Sequence, residues 1–148
     1  MIKAATTTGA VQSQHKKLLA LARKRLQKFA TLLPKVLLNE NTDTVHDLRV
    51  ASRRLQQALR VLHRGAKSPK SKKFFRRLRQ TRQALGACRN LDVNLDLIKQ
   101  RQQRAGAAVQ RAWGALRADL EAKRGPLLDD SRRKVQRFDL FDLIARAQ

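Results

Sequence analysis

Residues 45–62 read VHDLRVASRRLQQALRVL, and residues 74–98 read FFRRLRQTRQALGACRNLDVNLDLI. In the first stretch Val45, Leu48, Leu55, Leu59 and Leu62 recur at the spacing of one helix face. His46, Arg49, Arg53, Arg60 and Arg64 follow one another at offsets of 3, 4, 7 and 4 and form a second stripe beside the leucines. The basic face of this helix therefore borders the core instead of opposing it. In the second stretch Lys72, Arg76, Arg79 and Arg82 repeat the device, and Arg89 follows past Gly86. Lysines and arginines among residues 16–28 can make a third stripe. β-branched residues are sparse and no apolar-polar alternation occurs, so strands are not expected.

Working outward, the same 3.6-residue period predicts helices nearly throughout. The first covers roughly Ser13 to Leu38, with Pro34 expected to kink or end it. Thr42 or Asp43 can cap a second helix over about Thr44 to Arg64, closed by Gly65 at the C′ position. Ser68-Pro69 opens a third through about Leu85, and Gly86 breaks or bends it. A fourth holds Leu91 to Ile98, a fifth runs from Val109 to a stop at Gly125-Pro126, and a sixth runs from Leu127 onward. The expected class is all-α, an antiparallel bundle of about five to six helices. Residues 1–12 read as a flexible lead-in and residues 13–148 as a single domain.

The chain carries 34 basic and 11 acidic residues, a formal net charge of +23. Its hydrophobic fraction of 42% is enough for a packed core, which excludes a disordered basic tail. The charge is concentrated: between Asp47 and Asp92 there is no acidic residue at all. Ordinary surface helices intersperse both signs, because like charges at i, i+4 repel. A folded segment without that relief is expected to meet an external polyanion. Arginines outnumber lysines 21 to 13, and the planar guanidinium fork grips phosphate through two hydrogen bonds where lysine is a point charge.

Several classes drop out. The single Cys88 excludes an internal disulfide and fits a reducing compartment. No apolar run approaches the ~20 residues of a membrane span, and the start lacks a secretory apolar region; cytoplasm is the expected location. Asp47 and Asp92 read as helix caps or arginine orienters, Asp92 beside Arg89 in particular, and not as metal ligands. Cys88 and Trp113 read as core residues. Neither a catalytic group nor a metal or cofactor site is expected.

The two quoted stretches resemble the CHAD family, the conserved-histidine α-helical domain. Its hallmark is an H-x-x-R-V-x-x-R-R-L-R helix, then a helix ending L-G-x-x-R-D-x-D-V. His46, Arg49, Val50, Arg53, Arg54 and Leu55 match the first part; Leu85, Gly86, Arg89, Asp92 and Val93 match the second. Asn90 stands where the family usually has Asp, and Gln56 where a further Arg is common. The motif core covers residues 45–98. The resemblance implies a helical bundle that binds inorganic polyphosphate in a basic groove, without a catalytic role, and an association with polyphosphate granules. Family members are typically larger, with two helical halves related by a pseudo-two-fold axis. This chain has one His-x-x-Arg helix, and neither His15 nor His63 sits in that pattern.

The expected function is therefore non-catalytic polyphosphate binding, as a granule-targeting or scaffold module. The expected contacts are His46, Arg49, Arg53, Arg54, Arg60, Lys72, Arg76, Arg79, Arg82 and Arg89. Nonspecific nucleic-acid binding is the alternative, permitted by the charge. Single-strand binding would call for aromatic platforms, yet aromatics make up 4% of the chain and Tyr is absent. An enzyme acting on phosphate polymers would call for metal-holding carboxylates, which the basic window lacks. A homodimer could supply a second half-site, with Phe138, Phe141 and Ile144 of the C-terminal helix as the expected interface.

Overall fold

The computed structural model describes the backbone of residues 3–38, 41–62 and 69–145. Among these residues there are six helices: α1 (Lys3–Leu38), α2 (Thr42–Leu62), α3 (Pro69–Ala84), α4 (Gly86–Arg104), α5 (Ala107–Gln136) and α6 (Leu140–Ala145). No strand occurs among them, so the chain is all-α, as its periodicity requires. Arg64, Gly65 and Ser68, expected to finish the basic stripe, stop one helix and start the next, lie outside the described residues.

The core is one cluster. Phe29, Leu33 and Val36 of α1 meet Val45, Leu48 and Leu55 of α2, and Leu78, Leu85 and Leu128 complete it. Complete burial of such side chains contributes ~1.5–3 kcal/mol each. The predicted leucine stripe of α2 is thus the face that enters the core. α1 packs on α2, α2 on α3, and α4 on α5. The α2–α3 pair runs antiparallel, since Arg49 reaches Arg82 and Ser52 reaches Leu78.

Three boundaries differ from expectation, while the expected break at Gly86 is found. α1 begins at Lys3 and passes through Pro34. Asn41 is the residue that caps α2: its Oδ1 accepts the Asp43 amide at 2.8 Å. That frees the Thr42 hydroxyl to accept from Arg124. Only Leu85 separates α3 from α4, and backbone bonds from Leu85 to Thr81 and from Arg89 to Leu85 carry the chain round a bend at Gly86. Finally, Gly125-Pro126 does not end a helix; α5 continues to Gln136. Proline costs a helix interior ~3 kcal/mol. Here the burial of Leu128 and Val135 beyond it outweighs that cost.

Asp139 adopts φ 49, a left-handed conformation that Asp tolerates better than most residues. It turns the chain so that α6 returns against α1. This corrects the expected dimer surface. Ile144 is buried in the chain's own core and Phe138 packs against it; of the three, Phe141 alone is exposed.

Candidate functional site

The basic stripes of α2 and α3 meet along a seam of buried polar residues. Ser52 and Thr81 are fully buried and Gln56 nearly so. The Ser52 hydroxyl donates to the Leu78 carbonyl at 3.2 Å. In turn it accepts from Arg82 Nη1 at 2.9 Å. Arg82 Nη2 donates to Gln56 Oε1. Arg49 Nη1 donates to the carbonyl of Arg82, in the last turn of α3, where the helix dipole presents its negative end. Gly86 leaves room for this: a β-carbon there would meet Arg49 Nη1 at 3.3 Å. The sequence therefore places Ser, Gln and Gly at the three points where two guanidinium groups must be held against the backbone.

These guanidinium groups sit among others of the same sign. Burial lowers the Arg49 pKa below its ordinary value, and Arg89 and Arg53 lower it further. Burial likewise lowers that of Arg82, with Arg49, Arg60, Arg53 and Arg79 adding to the effect. Six arginines from α2, α3 and α4 thus share one field. The counter-charges lie elsewhere. The five ion pairs with both partners described all involve α5: Arg117–Glu121, Lys123–Asp119, Arg124–Asp92, Arg132–Asp129 and Lys134–Asp130.

Of the ten expected contacts, the structure brings Arg49, Arg53, Arg60, Arg79, Arg82 and Arg89 together. His46 is exposed, one turn before Arg49 on the same side of α2. Lys72 and Arg76 are exposed on α3, N-terminal to Arg79. Arg54 is exposed ~100° around α2 from Arg53, which turns it away from the stripe of Arg49, Ser52 and Gln56. Arg77 serves packing: its guanidinium lies 5.4 Å from the Phe138 ring.

Ser52 and Gln56 were not legible as site residues, because a short polar side chain on a helix gives no sign of its partner. Their spacing from Arg49 and Arg53 along one stripe was the available signal. Asp92 orients an arginine as expected, but a different one. It is 3% exposed and pairs with Arg124 Nε at 2.7 Å, not with Arg89. Arg124 also donates to Thr42 Oγ1 at 2.9 Å, so this pair joins α4 and α5 to the start of α2. Among the described residues no three His, Cys, Asp or Glu side chains gather as a metal site requires, and no helix is long and apolar enough to cross a membrane.

A search of curated proteins and a search of solved structures find no significant match. The model of the CHAD domain family matches residues 20–148, a span that contains the arginine cluster, the seam beneath it and nearly all of the core. With the two motif stretches at the junction of α2, α3 and α4, the chain belongs to the CHAD domain family.

Proposed function

We propose that this protein binds inorganic polyphosphate without catalysing its conversion, and that the arginine face of α2, α3 and α4 is the binding surface. One observation carries the reading: six guanidinium groups share a field, two of them partly withdrawn from water, while the described ion pairs all involve α5. Such an arrangement costs stability in the free protein and recovers it when an external anion arrives. A phosphate polymer suits it, because it offers closely spaced charge and oxygen acceptors and no bases to read.

Arg53, Arg60, Arg79 and Arg89 supply the direct phosphate contacts. Arg49 and Arg82 already spend donors on the protein, so they act chiefly as fixed charges that also orient their neighbours. His46, Lys72 and Arg76 extend the surface along the two helices. Attachment to a polyphosphate granule, or service as a scaffold on one, follows from such a surface.

The test is competition at ~150 mM salt, where weak exposed contacts are partly screened. Long-chain polyphosphate is set against single- and double-stranded DNA, with Arg53→Ala run alongside. A preference for polyphosphate that the variant loses supports the proposal. Equal binding to all three, unaffected by the variant, overturns it and leaves a generally basic protein.

A further inference from the structure

The α4–α5 hairpin is built differently from the rest of the bundle. None of the side chains from residue 107 to residue 127 is fully buried, whereas Leu128, Ser131 and Val135 further along α5 are. The first five turns of α5 therefore form an arm with α4. The seam within this arm combines the buried Ile98 with polar links. Gln102 Nε2 donates to the Gln110 carbonyl at 3.5 Å, Arg117 Nη1 donates to Gln102 Oε1 at 3.2 Å, and Arg124 pairs with Asp92. Gly114 lies close to the same glutamine.

The apolar residues of α5 lie to one side of that seam. Val109, Trp113, Leu116 and Leu120 follow one another at offsets of 4, 3 and 4, the spacing of a helix-packing heptad. Val109 is 52% and Leu116 43% exposed, and on α4 Leu97 is 52% exposed. Trp113, Leu120, Leu97 and Ile98 line a shallow groove of 330 Å³ on this side. A helix pair that leaves Val109, Leu116 and Leu97 exposed along such a stripe lacks a partner for that side.

We infer that this face is where a second copy of the chain docks, α4–α5 against α4–α5, about a two-fold axis. Charge selects the place at which two copies can meet. The window between Asp47 and Asp92 carries 14 basic residues and no acidic one, so two molecules repel strongly there. Residues 92–124 carry 7 basic and 4 acidic residues, and three of those acids are already paired within the arm. The arm thus offers an apolar face away from the basic window. Geometry agrees: an antiparallel hairpin with one apolar side is self-complementary under a two-fold rotation and closes a four-helix arrangement. Eighteen residues of α5 span ~27 Å and two packed helices are ~20 Å wide. The pair of faces therefore reaches the ~1,000 Å² that marks a specific interface.

The inference does not depend on the polyphosphate reading, and its test contains no polyanion. Sedimentation is measured up to ~200 μM protein in ~300 mM salt, which screens the net charge. The expected result is twice the chain mass of 16.9 kDa, returning to the single mass in Leu97→Glu and in Leu116→Glu. Both positions are exposed, so each variant should keep its helical circular dichroism and melting temperature. Phe141→Glu, on the exposed side of α6, should leave the dimer intact. A single-chain mass for the unmodified protein at every concentration overturns the inference, as does a dimer that survives both arm variants or is lost in Phe141→Glu.

Discussion

Replacing Gln56 with Glu should make the protein more stable and its polyanion binding weaker. Gln56 is 8% exposed and its Oε1 accepts from Arg82 Nη2. The present bond is already charge-assisted, because its donor is a guanidinium, and a carboxylate at that oxygen adds an ion-pair attraction of ~4 kcal/mol for charges about 4 Å apart near a protein surface. It also answers the repulsion that Arg49, Arg60, Arg53 and Arg79 impose on Arg82. The cost of desolvating the new charge offsets part of this gain. A net stabilisation of ~1–2 kcal/mol is expected, which raises the melting temperature of a domain this size by ~2–8 °C. The same carboxylate cancels one positive charge in the field meant for phosphate. Polyphosphate affinity should then fall ~5–30-fold, or ~1–2 kcal/mol, and the slope of log affinity against log salt should shrink by ~1. Calorimetry and fluorescence anisotropy at several salt concentrations read the two effects separately. Gln56→Leu is the control, since it leaves Arg82 Nη2 unpaired and should destabilise by ~1–3 kcal/mol. A Glu variant that melts lower while binding as tightly as before would refute the arrangement of charges described here.

Other consequences are as direct. Arg49→Ala with Arg53→Ala should weaken polyphosphate binding ~10–100-fold, read in the same anisotropy assay, while helix content is retained. Asp92→Asn leaves Arg124 partly buried without its carboxylate and should cost ~3–5 kcal/mol in urea unfolding; Asp92→Leu combined with Arg124→Met should recover most of that. Burial raises the Cys88 thiol above its ordinary 9.0, and the Asp92 carboxylate adds to the rise. A folded pKa above the unfolded one gives a contribution that is full below the unfolded value and is lost as pH rises through the folded one. Unfolding free energy should therefore fall above pH 9.0, and Cys88→Ala should remove that alkaline slope. Ile144→Ala should destabilise by ~2–5 kcal/mol, as for a core residue, where a surface position would show almost no change in urea titration.

The helical class, the leucine face of α2 and the membership of Arg49, Arg53, Arg60, Arg79, Arg82 and Arg89 in one basic surface were all legible in the sequence. They follow from local periodicity, because a 3.6-residue repeat decides which side chains share a face before any packing occurs. The family motif adds the junction at Leu85-Gly86, where Gly86 makes room for Arg49. What local periodicity cannot contain is the partner of a side chain far along the chain. Arg82 finds Ser52 and Gln56 some thirty residues away, and Asp92 prefers Arg124 to its neighbour Arg89. Helix ends depend on the same distant contacts. Proline 126 marks a stop by its backbone chemistry, yet the burial of Leu128 and Val135 carries α5 through it. The C-terminal residues Phe138 and Ile144 read as a free apolar face, yet Phe138 packs against the core and the turn at Asp139 brings Ile144 into it. The sequence by itself thus determined which residues are helical, which faces are apolar and where the positive charge accumulates. Only the tertiary structure decided which apolar face is covered and which arginines are held, because burial and pairing are properties of the packed chain and not of any segment within it.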